Sequence, residues 1–234
     1  MKKISIVIPV YNENENLSQL LNEITHHIED IYEHEIIFID DGSTDKSKLL
    51  LENFKKNSNI RIHYNIINKG QSFSLFTGIK LASHNTIVTI DGDCQNNPKD
   101  IPKLVDLFFN NNKIDLIGGI RIDRKDNFIK KISSLIANKV RSFILNDNCP
   151  DTGCSLKVFK KDIFLQFPYF DRIHRFLPAL FKGYGYSTDF IPVDHRLREK
   201  GYSKYGTLKR LFQGIFDLIR VIIIIRGYKR NLND

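Results

Sequence analysis

Short runs of β-branched and aliphatic residues alternate with stretches whose apolar residues recur every three or four positions, and this alternation limits the fold more than any other feature of the chain. "ISIVIPV" (4–10), "EIIFID" (35–40), "IRIHYNI" (60–66), "TIVTI" (86–90) and "IDLIGG" (114–119) read as strands. Between them Leu17, Leu20, Leu21, Ile24 and Ile28 share one helical face, as do Ile101, Leu104, Val105, Phe108 and Phe109. Strand–helix alternation with short connections predicts an α/β fold on a doubly wound, mainly parallel sheet. The opening "MKKISIVIPVYNE" has a short apolar part broken by a proline and no small-residue cleavage site, so it reads as the first strand and not as a signal peptide.

The texture changes after residue 120. "NFIKKISSLIANKVRSFIL" (127–145) predicts an amphipathic helix with a lysine- and arginine-rich side, and "GCSLKVF" (153–159) and "STDFIPV" (187–193) read as further strands. The expected division is a catalytic domain over 1–205 and a basic amphipathic tail helix over 206–234. Residues 195–234 carry ten Lys or Arg against three acids, whereas the rest of the chain is nearly balanced at 25 against 24. Nearly all of the formal charge of +8 therefore lies in the tail, which suits an anionic surface such as a membrane leaflet. The longest apolar run there, Val221 to Ile225, falls far short of the ~20 residues that a membrane span needs. The tail is expected to lie in the membrane interface or on a partner, with a helix folded back onto the domain as the competing reading.

Three cysteines, an odd number, argue against a disulfide framework, and Cys149 with Cys154 lacks the second pair of a zinc site. No nucleic-acid partner is expected, because interleaved aromatic and cationic positions are missing.

Two strands end in acids: Asp40 and Asp41 in "FIDDGS", Asp91 and Asp93 in "TIDGD". Ligands of such sheets bind at the carboxyl ends of the strands. Carboxylates crowded there repel one another, and a divalent cation relieves the repulsion. Magnesium takes one or two carboxylates and completes its shell with water and phosphate oxygens. A plain turn competes for "DGD", and helix capping competes for Asp40 and Asp41, with Ser43 or Thr44 as equal candidates for the cap. Neither G-x-x-x-x-G-K-[ST] nor a G-x-G-x-x-G after the first strand is present, so a phosphate site must be built from metal and side chains.

"VIPVYNENENL", "FIDDGSTDKS", "NKGQSFSLFTGI" and "TIDGDCQNNP" follow in the order and spacing of the family 2 glycosyltransferases, which the chain resembles. "GGIRIDRKDN", "SSLIAN", "DTGCSLKVF", "HRFLPAL" and "HRLREKGYSKYG" are similar to the branch holding dolichyl-phosphate mannose synthase and bacterial polyprenyl-phosphate glycosyltransferases. The resemblance implies the GT-A fold and a metal-dependent, inverting transfer of one sugar from a UDP- or GDP-linked donor to a polyprenyl phosphate. It implies that Asp91 and Asp93 hold Mg2+ or Mn2+ and the donor diphosphate, with Gln95 joining the metal shell. Pro9, Tyr11, Glu13, Asp40 and Asp41 match positions that hold the nucleoside.

A hydroxyl acceptor needs a general base, whereas a phosphate monoester is already ionised near neutral pH and needs cations to hold it. Arg121, Arg124, Lys125 and Lys130, followed by Ser134, supply such a set. The resemblance implies acceptor contacts at Arg121 and Ser134. Lys130 stands where that branch often has arginine, and a lysine binds phosphate without the bidentate fork. Asp151, Thr152 and Gly153 match a segment bordering the acceptor, where Asp151 is expected to position and not to take a proton. Arg198, Ser203 and Lys204 are expected donor contacts on a loop closing over the diphosphate. His174 and His195 border the site without an assigned role.

The expected location is the cytoplasmic face of the cell membrane. An integral membrane partner is also expected, since relatives in this branch often carry membrane helices after the catalytic domain. Two rival readings are a transferase of the same fold acting on a sugar hydroxyl and a non-catalytic nucleotide-sugar-binding subunit.

Overall fold

The computed structural model describes residues 1–122, 139–197 and 207–231, with side chains from 213 to 230 in the last segment. Strands β1 (Lys3–Val10), β2 (Glu33–Asp40), β3 (Ile60–Tyr64), β4 (Thr86–Thr89), β5 (Leu116–Arg121), β6 (Lys157–Lys160) and β7 (Thr188–Val193) form one sheet in the order β3-β2-β1-β4-β6-β5-β7. The pairs β1–β2, β1–β4, β2–β3 and β5–β7 are parallel, and β6 runs against both β4 and β5. The mainly parallel sheet is as expected. The strand expected at 153–159 is shorter and reversed, because side-chain alternation carries no information on direction.

Helices α1 (Asn14–Ile28), α2 (Ser47–Phe54) and α4 (Ile101–Asn110) cover one face, where Leu17, Leu20, Ile24, Leu51, Leu104 and Val105 pack on Ile4, Ile6 and Ile8. Helix α3 (Gln71–Leu81), the short α5 (Lys161–Phe164) and α6 (Leu177–Gly183) cover the other, around Val7, Ile37, Ile39 and Phe159. With both faces covered, β1 reads as a continuous apolar run, as a buried parallel strand should.

Pro9 shapes the functional edge. The Val10 carbonyl accepts from Asp41 and the Val7 carbonyl from Ile90, so Pro9 faces β4. The β1–β4 register ends at Val7 with Thr89, so the missing N–H costs no ladder bond. Beyond that point the chain after β4 is released to form the acidic loop.

The tail forms helix α7 (Thr207–Asn231). One side docks on the domain: Val221 is fully buried, Asp217 pairs with Arg172 at 2.7 Å, and Tyr228 stacks on Tyr184 with centroids 3.7 Å apart. A Cβ on Gly183 would lie 2.6 Å from Ile225, so that glycine sets how closely α6 and α7 approach. The opposite side keeps Phe216 72% and Ile223 64% exposed, with Ile215 and Ile219 beside them. The reading of a helix folded back onto the domain therefore holds for one side of α7, and the other side is exposed. Of the expected helix at 127–145, residues 139–145 are helical and the remainder lies outside the described residues.

Gly78 brings α3 against the sheet: a Cβ there would meet Val7 Cγ1 at 2.4 Å and Ile39 Cγ1 at 3.0 Å. Gly78→Ala is expected to lower stability by about 1–3 kcal/mol despite the better helix propensity of alanine, because overpacking outweighs the propensity gain. Denaturant unfolding checks this, and Gly78→Val should be worse.

Candidate active site

The loops leaving β1 and β2 are stitched together by side chains. Asn12, in the left-handed region at φ 55°, accepts from the Thr44 N–H at 2.7 Å, and its own N–H donates to Ser43 Oγ at 2.9 Å. The Glu13 N–H donates to Ser47 Oγ at 3.0 Å. At the start of the following helix Asp45 accepts from the Ser47 N–H at 2.9 Å, the N-cap residue Lys46 supplies no side-chain cap, and Ser43 is engaged with Asn12, so neither Asp40 nor Asp41 caps it. "YNEN" and "DGSTDKS" therefore form one ledge carrying Tyr11 and Glu13, beside Pro9.

The two neighbouring acids of β2 diverge because alternate residues face opposite sides. Asp41 is buried among protein donors: Asn65 Nδ2 at 2.7 Å, the Lys69 N–H at 3.0 Å and the Gly70 N–H at 2.7 Å. Asp40 is 2% exposed, and its Oδ1 has no hydrogen-bond partner. Burial pushes its carboxyl up, against the opposing pull of hydrogen bonds from Ser43. Of the two, Asp40 is the acid with acceptor capacity left over.

The acidic loop turns sharply at the end of β4. Gly92 lies where a Cβ would come within 3.2 Å of the Pro9 carbonyl oxygen, and Cys94 adopts the left-handed region at φ 58°. Asp91 accepts from Gln71 Nε2 at 2.7 Å, and its N–H donates to Ser155 Oγ at 3.2 Å. Ser155 in turn donates to Asn96 Oδ1 at 2.7 Å. Asp93 Oδ1 accepts the Gln95 N–H at 3.1 Å. Gln95 is tied to Arg196, whose N–H donates to the Gln95 carbonyl at 2.8 Å and whose guanidinium holds Glu23 at 2.8 and 2.9 Å.

Burial and the negative charge of Asp93 push the Asp91 carboxyl up to about 7, against the pull of Ser155 and of the positive charges of Lys157 and Arg121. Among the described residues no three or more His, Cys, Asp or Glu side chains converge as a metal site. A pair of carboxylates with a nearby amide therefore fits a hard cation that draws its other ligands from water and phosphate, and does not fit an all-protein cage.

At the carboxyl end of β5, beyond β6 from the acidic loop, Arg121 and Asp151 form a two-pronged ion pair, Nε–Oδ2 at 2.7 Å and Nη2–Oδ1 at 2.8 Å. Gly153 makes room for it, since a Cβ there would sit 2.6 Å from Arg121 Nη2. Arg124, Lys130, Ser134, Arg198, Ser203 and Lys204 lie outside the described residues. His174 is half-buried behind the loop, its Nδ1 2.6 Å from Ser72 Oγ, and desolvation of its ring pushes its pKa well down, so it is a neutral packing partner. Asn12, Asn65, Gln71 and Ser155 are contributors that the sequence did not single out. The signal for Asn12, Gln71 and Ser155 was their place within the quoted motifs, and Asn65 lay only in the strand run 60–66.

The family model described as "Glycosyl transferase family 2" matches residues 5–167. Dodecaprenyl-phosphate galacturonate synthase of Rhizobium johnstonii is 36% identical over 231 residues, covering 96% of this chain and 68% of that protein. Undecaprenyl-phosphate 4-deoxy-4-formamido-L-arabinose transferase of Edwardsiella ictaluri is 31% identical, covering 92% of this chain and 66% of that protein. The chain thus spans about two thirds of the length of these relatives. Glucosyl-3-phosphoglycerate synthase from Mycobacterium tuberculosis, crystallised with Mn2+, UDP and phosphoglyceric acid, superposes with a TM-score of 0.72. It covers 97% of this chain and 79% of its own at 16% identity, a likeness that bears out the GT-A fold. The chain belongs to glycosyl transferase family 2.

A cation bound at Asp91 must displace the proton that Asp91 holds below about pH 7. The ordinary value of this carboxyl is 3.8, so the metal-free fold loses stability as pH rises from there through about 7, and a cation restores it. Apparent Mn2+ affinity is expected to be about tenfold weaker at pH 6 than at pH 8. The manganese-induced rise in melting temperature should shrink in step. Equal shifts at both pH values would contradict the displacement.

Proposed function

We propose that this chain, as a member of family 2, moves one sugar from a UDP- or GDP-linked donor to a polyprenyl phosphate at the cytoplasmic face of the membrane. The observation that carries the reading is the paired carboxylates Asp91 and Asp93 at the end of β4, a site short of protein ligands that a donor diphosphate completes. The names of the two relatives, both acting on polyprenyl phosphates, support the acceptor class. Asp91, Asp93 and the side chain of Gln95 would hold Mg2+ or Mn2+. When bound, the ion neutralises the diphosphate and stabilises it as a leaving group.

The chain's own residues supply binding and alignment. Pro9, Tyr11 and Glu13 form the ledge for the nucleoside, with the unsatisfied oxygen of Asp40 as an acceptor for a base or ribose donor. Asp151 is committed to Arg121 through two hydrogen bonds, which suits orienting a guanidinium for an anionic acceptor better than removing a proton. A phosphate acceptor attacks through an oxygen already ionised, so no base is required. Attack opposite the leaving diphosphate inverts the anomeric carbon. Arg124, Lys130 and Ser134 are proposed to extend the acceptor site, and Arg198, Ser203 and Lys204 the donor site.

No helix among the described residues is long and apolar enough to cross a membrane. The outer face of α7 suits an interfacial position instead: Phe216, Ile219 and Ile223 project outward, followed by exposed Arg226, Lys229 and Arg230. An integral membrane protein that uses the lipid-linked sugar is a proposed partner.

Radiolabelled transfer from a panel of nucleotide sugars into undecaprenyl phosphate tests the activity. Asp93→Ala is expected to reduce turnover by at least 100-fold while leaving the fold intact, and chelation should do the same; activity that survives chelator removes the metal from the mechanism. Transfer to sugar hydroxyls in place of the lipid phosphate would favour the rival acceptor. Replacing Phe216 and Ile223 together with serine is expected to cut binding to anionic vesicles by about tenfold or more, measured by co-sedimentation, without altering the melting temperature.

A further inference from the structure

We infer that Gln71 is a positioning residue for the metal carboxylate Asp91, and that Asp41 acts by holding Gln71 in place. The inference rests on the reading of Asp91 as a metal ligand. Gln71 is the first residue of α3, and its amide Nε2 donates to Asp91 Oδ1 at 2.7 Å. A carboxylate at the tip of a strand can rotate about χ2, and two of them one residue apart repel. A neutral donor on one oxygen restrains the rotation and fixes the orientation of the carboxylate. Glutamine does this without adding charge; a lysine there would compete with the cation for the same carboxylate.

The placement of Gln71 is set by the preceding residues. The Asp41 carboxylate accepts from the Lys69 and Gly70 N–H groups at 3.0 and 2.7 Å, and from Asn65 Nδ2 at 2.7 Å. Gly70 caps α3 at φ 91°, a conformation strained for other residues, and the chain then enters the helix with Gln71 over Asp91. Ser72, the next residue, is fixed by its 2.6 Å contact with His174. The loop from Asn65 to Gln71 thus ties the acid at the end of β2 to the acid at the end of β4. This gives Asp41 a part different from that of its neighbour Asp40.

The test uses the full chain and Mn2+ alone, followed by electron paramagnetic resonance, in wild type, Gln71→Met, Gln71→Asn and Asp41→Asn. Methionine keeps the length and loses the donor; asparagine keeps the donor and shortens the reach. Mn2+ affinity is expected to fall about tenfold or more in Gln71→Met and in Asp41→Asn, in line with the loss of an outer-shell hydrogen bond to a metal ligand. Melting temperatures of the two Gln71 variants in chelator should stay within a few degrees of wild type, and Gln71→Met at saturating Mn2+ should recover most of the wild-type turnover. Mn2+ affinity in Gln71→Met within twofold of wild type would overturn the inference. So would a loss that saturating Mn2+ does not rescue. Asp93→Ala is the control for the underlying reading: if wild type and Asp93→Ala bind Mn2+ alike, the metal site itself is misplaced, whereas a loss confined to Asp93→Ala overturns only the role of Gln71.

Discussion

Asp91 and Asp93 stand one glycine apart at the end of a buried strand, and their mutual repulsion is the constraint to which the neighbouring elements answer. Burial and the charge of Asp93 favour protonating one of them and push the Asp91 carboxyl up to about 7. Ser155 and the positive charges of Lys157 and Arg121 oppose that tendency. On the proposed reading a cation would take the place of that proton. Electrostatic preorganisation of this kind is stored in the fold before any substrate arrives.

The sheet provides the edge on which this happens. Ending the β1–β4 ladder at Val7 lets the acidic loop diverge, and Pro9 occupies the position where an N–H would otherwise be left unpaired. Loops after β1 and β2 then lock to each other through Asn12, Ser43, Thr44 and Ser47, so the ledge proposed for the nucleoside is held by the fold itself. At the carboxyl end of β5, the pairing of Arg121 with Asp151 joins the strand to a loop 30 residues later and fixes the guanidinium there. Helix α7 presents two different sides. Val221 packs into the core and Asp217 pairs with Arg172 on one, and Phe216 and Ile223 are exposed on the other.

Much of this was legible in the sequence because hydrophobic periodicity and strand-end acids are local signals. The strands, the helices α1 and α4, and the acidic tips of β2 and β4 were all visible in runs of fewer than twenty residues. Properties that depend on distant partners were not. The reversal of β6 leaves no mark on alternation. The adjacent acids Asp40 and Asp41 read as equivalent, yet one is spent on Asn65 and the Lys69–Gly70 backbone and the other keeps an unpaired oxygen. Gln71 looks like any polar residue at a helix start until Asp91, 20 residues on, is placed beside it. Composition leaves the docked side of the tail undetermined because it averages over a helix with one side buried and the other exposed.

Anomalous diffraction at the manganese edge, from crystals grown with a nucleoside diphosphate and Mn2+, addresses the convergence of the strand-end carboxylates on one ion most directly. Expected is a single strong peak about 2.1 Å from an oxygen of both Asp91 and Asp93, with diphosphate oxygens completing its shell. A diphosphate held with no ion beside these two carboxylates, or an ion lodged elsewhere on the edge, would contradict it.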